Sequence, residues 1–458
     1  MESPDEQQPD RSEPAGGEPS SHPASWELPE AVPSAWVGFW PHPDPPSAEE
    51  VGRALATWVG REVNAESGNP DADDGMLWAL MLKIPGVTNP VVMWAERALP
   101  ADPAQLPDEG MRSCRWVLCM QTVLEAGEQH AEYFHLVAMM AGAFPEITGI
   151  LDVANGRRYP RAELEAQFLN ADAVPNDEFV WTITAVAPEE SDQAPMMLFT
   201  TGLARCGLPE LELLEVPSMH AQTAAVLMNH VASLLLEAPP PEPRERMEIG
   251  PETEIALVPW REVAQFMEDS VPGSLAFRQL AGSQNDGSLQ GVRAVICAPE
   301  QAGTFRKVWT WPREVIERME TGRAVLYASE HSAAATQRRA QRTWPAFATA
   351  FASLRRATRP EVAALAPEAF HVQAPVGGAD LEDRREQGWF LVQKFDGDVV
   401  EAALVDDPVT RRDVRAGAEM RVARTDITDW RVLLPDGVYG PDAGDALLQA
   451  VDRLRGLE

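Results

Sequence analysis

Cys114, Cys119, His130 and His135 follow one another as C-x4-C-x10-H-x4-H, close to the spacing with which two thiolates and two imidazoles hold zinc. Five residues apart in a strand-like run, the cysteines should face opposite sides of a sheet, which no single tetrahedral ion can bridge. Histidines five apart on a helix diverge, unlike the i, i+4 pair of a zinc-protease helix. The four are therefore read as buried thiols and ordinary histidines, with no metal or cofactor expected. Asp406 with Asp407, and Asp426 with Asp429, form carboxylate pairs that could chelate a hard cation or act as acid and base. Turns and caps use the same residue types, and that structural role is favoured. Trp430 beside them reads as core packing, with a half-exposed interface position as the alternative.

Signatures of hydrolases and nucleotide enzymes are missing. The chain has no GxSxG, no P-loop and no GxGxxG after a strand. Its three lysines, Lys83, Lys307 and Lys394, are preceded at the acid-x-Lys position by Met81, Phe305 and Val392. Arginine is the other candidate. Residues 331–360 hold six arginines and no acid, with Arg338, Arg339 and Arg342 clustered tightly enough for an anion or an acidic domain. A solvated helix face is favoured for them, then docking on the acidic part of the chain, with nucleic acid a distant third.

That ranking follows from charge. The 458 residues carry 71 Asp or Glu against 38 Lys or Arg, a net of -33, which disfavours nucleic acid and anionic membranes as partners. The excess is local: residues 1–30 carry -7 and residues 31–240 carry -19, whereas residues 241–380 are almost balanced. An acidic start without an apolar run, and no stretch approaching about 20 apolar residues, point to a cytoplasmic protein without a membrane span.

These residues need elements to hold them. Residues 1–33 are rich in Pro, Glu, Ser and Gly and read as a disordered acidic tail. SAWVGFWP reads as a strand, and Ser47 with Glu50 supplies a capping box for the helix that follows. Apolar runs to residue 237 alternate between strand and helix without a strict βαβ rhythm, including two strands around Asn155-Gly156. Residues 34–237 are thus expected to form an acidic α+β domain with a mixed sheet. Residues 238–251, APPPEPRERMEIGP, read as a proline-rich linker, and residues 252–328 as a middle α/β segment. Residues 329–458 are expected to form a small bent β-sheet or barrel with helices, the arginine segment giving two helices broken at Pro345.

Several of these segments resemble known families. RAQRTWPAF, WFLVQKFDGDVVEAAL, VDDP, RAGAEMRVARTDITDW and DGVYG, between about Ser329 and Gly440, resemble the bacterial domain of unknown function 2314 (DUF2314). The region before the linker resembles a second uncharacterised bacterial family, DUF4026. Its TTGLARCGLPELELLEVP (Thr200–Pro217) is similar to a signature shared with Suppressor-of-fused-like modules. The resemblance implies an architecture and no catalytic residues. Gly202, Gly207, Pro209 and Glu210 of that signature read as a strand-ending turn whose glutamate pins a backbone or an arginine. The expected function is a non-catalytic protein-interaction module with an unidentified, basic partner. An immunity or antitoxin-like protein that neutralises a basic effector is the first alternative, and an enzyme using the Asp cluster the second.

Overall fold

Along β1 (Ala31–Trp40) Ser34, Trp36 and Gly38 turn inward and are buried, whereas Pro33, Ala35 and Val37 turn to the other side. The computed structural model describes residues 25–68, 75–100, 106–126, 130–169, 175–187, 195–251, 253–283, 289–299, 310–321, 323–324, 326–327, 329–376, 386–408, 411 and 413–456. β1 lies in a seven-stranded antiparallel sheet with β2 (Asn64–Gly68), β3 (Met76–Lys83), β4 (Val91–Arg97), β5 (Trp116–Glu125), β6 (Gly149–Asp152) and β7 (Arg158–Pro160), in the order β2-β3-β4-β5-β1-β6-β7. One face is covered by α1 (Ala48–Val59) and α3 (His130–Ala143), followed by the short α4 (Arg161–Leu164). The other face is covered at one end by α2 (Glu109–Arg112). The capping box at α1 forms as expected: Glu50 N donates to Ser47 Oγ, and Ser47 N donates to Glu50 Oε2 at 2.8 Å.

Most of the expected 1–33 tail, as far as residue 24, lies outside the described residues. Its end departs from the expectation. The Trp26 indole packs against the core and donates to the Pro241 carbonyl at 2.7 Å, and β1 begins at Ala31. One large apolar side chain is enough to tie down a segment whose average composition is polar.

The second sheet runs β11-β12-β13-β10-β9-β8, from β8 (Thr182–Val186), β9 (Met196–Thr201), β10 (Glu210–Val216), β11 (Arg246–Gly250), β12 (Thr253–Pro259) and β13 (Arg293–Cys297). Its strands pair antiparallel except β10 with β13, which are parallel. α5 (Ala221–Leu235) and α8 (Arg313–Glu320) cover its inner face. α6 (Trp260–Ala264) and α7 (Leu275–Ser283) lie on its outer side, where Met197, Phe199, Val258 and Val295 are buried. The expected linker is therefore largely structured. Arg246–Gly250 is an edge strand whose Ile249 is fully buried, and Arg244 pairs with Glu262. Charged residues suit such an edge, which is why the segment reads as a linker. The inner faces of the first and second sheets share one core that runs from Trp36 to Ile316, so this sheet joins residues from both sides of the expected boundary.

The third sheet has its own core and runs β17-β16-β15-β14-β18-β19. Its strands are β14 (Phe370–Pro375), β15 (Gln387–Asp396), β16 (Val399–Leu404), β17 (Glu419–Ala423), β18 (Asp429–Leu434) and β19 (Gly437–Tyr439). α9 (Glu330–Arg355), the short α10 (Pro360–Ala363) and α11 (Ala366–Ala369), and α12 (Gly444–Arg455) surround its core. α9 corrects the expected break: it is one helix of 26 residues with Pro345 inside it. An interior proline costs about 3 kcal/mol. Here Trp344, Phe347, Phe351 and Leu354 all bury on the sheet, which offsets that cost and holds the helix continuous. The whole is an α+β fold.

Candidate interaction surface

The second sheet is buried on both faces, but the first is not. Its outer face carries the row Met81–Val92–Gln121–Ala35, and beside it the row Ala79–Trp94–Cys119–Val37–Leu151. Both follow from strand alternation in runs that are apolar at odd and even positions alike. Phe39, Leu106, Met111, Cys114 and Val117 close one end of this face. At the other end Met81 is 48% exposed, Val123 39% and Val153 52%. Glu66, Lys83 and Glu125 stand at the margins of the face, and no charged side chain interrupts the first row.

Buried ion pairs hold the sheets that present this face. Asp152 on β6 and Arg205, in the turn between β9 and β10, are both almost wholly buried and form two hydrogen bonds of 2.6 and 2.7 Å. Arg205 also donates to Ser34 Oγ, and the Tyr133 hydroxyl donates to Asp152 at 2.8 Å. Burial alone would lower the arginine pKa, but the Asp152 charge and hydrogen bonds raise it, so it stays charged. A second lock sits in the other sheet: Glu212 receives Arg278 and Arg293, and Arg278 lies 4.2 Å over the Trp260 ring. Sequence reasoning missed these pairs. Their signal was a charged residue inside an apolar run, as in GILD, ELELLEV and GVRAVIC.

Glu210 does pin a backbone. It accepts from Gly202 N at 2.7 Å, from Ala204 N and from Thr200 Oγ1. Gly202 has φ +124°, and a Cβ there would lie 2.2 Å from the Val180 carbonyl oxygen, so only glycine fits.

The other sequence candidates do not come together. The row Val405, Trp389, Gln373, Asp429 crosses three strand spacings, so Asp406 and Asp407 lie roughly 14 Å from Asp429. Asp407 accepts from Ala416 N at 2.7 Å and faces Arg415, while Asp429 accepts from Trp430 N. Asp406 and Asp426 are exposed. Trp430 is fully buried, packs on Phe347 and donates to Thr343 Oγ1, so it is core and not a contact residue. Arg338 is exposed and Arg342 half-buried on α9. Arg339 faces the acidic part: burial pushes the Glu178 carboxyl pKa up, and Arg339 and Arg157 oppose that.

Cys114 and Cys119 do not face opposite sides of the sheet as expected. Cys114 precedes β5 and is not part of the strand, so both thiols sit on the same outer face of the first sheet. The helix that starts at His130 lies on the opposite face, with His135 exposed. Among the described residues no His, Cys, Asp and Glu group has the geometry of a metal site. Burial pushes the Cys206 and Cys297 thiols up to about 12 and Cys119 further, so they are protonated.

Two family models match parts of the chain. Residues 183–289 match "Protein of unknown function (DUF4026) C-terminal", and residues 330–450 match "Uncharacterized protein conserved in bacteria (DUF2314)". The first match spans the second sheet from β8 to α7 and crosses the segment expected as a linker. The second spans the third sheet. No curated protein and no solved structure matches the chain. Among the described residues no helix is long and apolar enough to cross a membrane.

Proposed function

We propose that this is a bacterial cytoplasmic protein-interaction module, without catalytic activity, that takes a basic partner on the open face of its first sheet. Residues 34–182 then complete the DUF4026-like region that the 183–289 match ends. The observation that carries the reading is the uncharged row Met81–Val92–Gln121–Ala35, flanked on the same open end by exposed Val123 and Val153, set in a portion of net charge -19. An exposed apolar patch offers binding area, and the surrounding negative field selects and steers a cationic partner. An immunity or antitoxin-like role uses the same surface against a basic effector, and the acid excess favours it as a second reading. The separation of the aspartates gives the enzyme reading no support.

Arg at positions 81 and 123 would place two charges on the face without entering either core. Capture from native bacterial lysate by the wild type and by the double variant Met81→Arg, Val123→Arg tests the proposal. A basic protein retained by the wild type alone, and released as salt rises from 50 to 300 mM, is the expected result. Equal retention by both would contradict it.

A further inference from the structure

The outer face of the third sheet carries an arginine with no carboxylate partner among the described residues. Arg431 on β18 lies opposite His371 on β14, and Gln373, two residues along, lies opposite Trp389 on β15. The guanidinium reaches diagonally over β14 and stacks on the Trp389 ring at 4.1 Å. That explains how His371, on a sheet face away from the helices that cover the core, is only 7% exposed. Its Nδ1–H donates to the Ala369 carbonyl at 3.3 Å. Burial, and then the charge of Arg431, lower the His371 pKa, so the imidazole is neutral at pH 7.

Arg205, Arg278 and Arg293 each meet a carboxylate. Among the described residues no carboxylate pairs with Arg431, and its buried Nε–H has no acceptor. An unmet buried donor is costly, and a planar guanidinium on an aromatic face is pre-organised for a planar carboxylate. The same face continues past it to Leu433, 39% exposed, and its cross-strand neighbour Val438, 68% exposed.

We propose that Arg431, stacked on Trp389, is the anchor for a carboxylate side chain of a partner peptide, whose adjacent apolar side chain rests on Leu433 and Val438. The charge match selects this occupant. One guanidinium beside a neutral imidazole matches the single charge of a carboxylate and not the multiple charge of a phosphate or nucleic acid. The surface is separate from the open face of the first sheet and does not depend on it.

The test uses the full chain with 15N-labelled indoles, the Trp389 signal being assigned from Trp389→Phe. Acetyl-Leu-Asp-Leu-amide is titrated against its Asn counterpart and against inorganic phosphate at constant ionic strength. The expected result is a saturable Trp389 shift at a concentration at least about ten-fold lower for the Asp peptide, the difference charge-assisted hydrogen bonds supply. Arg431→Gln should abolish that preference, Arg431→Lys should weaken it, and Arg342→Gln should keep it. Because the Asp and Asn peptides are compared on the wild type, the preference is readable even if Arg431→Gln fails to fold. Equal binding of both peptides, a preference that survives in folded Arg431→Gln, or phosphate binding tighter than the Asp peptide would overturn the proposal.

Discussion

Replacing Asp152 with Asn removes one charge from a pair that is 1% and 0% exposed while keeping the side-chain shape. Arg205 then stays buried with its hydrogen bonds to Ser34 and to a neutral amide, and its charge has no counterpart. Breaking one side of a buried pair costs about 3–5 kcal/mol, because the partner left behind cannot recover its hydration. Arg205→Met strands the carboxylate instead. The Tyr133 hydroxyl and Ala154 N still bond to it, so this change should cost less. The double variant Asp152→Asn, Arg205→Met removes both charges and should lie closer to the wild type than Asp152→Asn alone, giving a coupling of about 3 kcal/mol or more. Urea unfolding followed by tryptophan fluorescence reads this directly. The first two sheets share a core and the third has its own, so two transitions are expected. With m of about 3 kcal/mol/M, the single variants should lower one midpoint by about 1 M and leave the other in place. A single substitution that costs under about 1 kcal/mol, or that moves both transitions equally, would refute the reasoning.

Three further outcomes follow from the same structure. Gly202→Ala should destabilise the transition of the first two sheets by at least about 2 kcal/mol, since φ is +124° and the new Cβ meets the Val180 carbonyl, whereas alanine at the open Gly156 turn should cost much less. Burial lowers the pKa of His230 and of His371, so below about pH 6.5 the unfolded chain binds protons that the fold does not. Stability should therefore fall as pH drops from 7.5 to 5.5, and His230→Gln and His371→Gln should each flatten that slope in its own transition. Cys114, Cys119, Cys206 and Cys297 are buried with raised thiol pKa values, so iodoacetamide at pH 8 should modify none of them in the native chain and all four in urea, as intact mass will show.

Where local chemistry and tertiary packing agree, the sequence is readable. Ser47 and Glu50 mark the start of α1, Asn155-Gly156 sits between β6 and β7, and Glu210 pins its turn, because each depends on residues close in the chain. Elements that tertiary contacts decide are harder to read. β11 is hidden in a charged, proline-rich run because Ile249 is its one buried large apolar side chain. α9 passes through Pro345 because an aromatic stripe outweighs the local penalty. The pairing of Asp152 with Arg205, 53 residues away, has no local signature beyond a charge inside an apolar strand. The candidate surfaces follow the same rule. Met81, Val92 and Val123 look like core residues in sequence, and only the one-sided cover of the first sheet shows that they are exposed or half-exposed.

The central claim is that the open face of the first sheet binds a basic protein partner. Its most direct test is the affinity of the captured partner for the full chain, measured at 50 mM and 300 mM salt with the wild type and with Met81→Arg, Val123→Arg. The expected result is a loss of at least about ten-fold from the substitutions and a further loss with salt. Binding that is unchanged by both, or a partner that is acidic, would contradict the account.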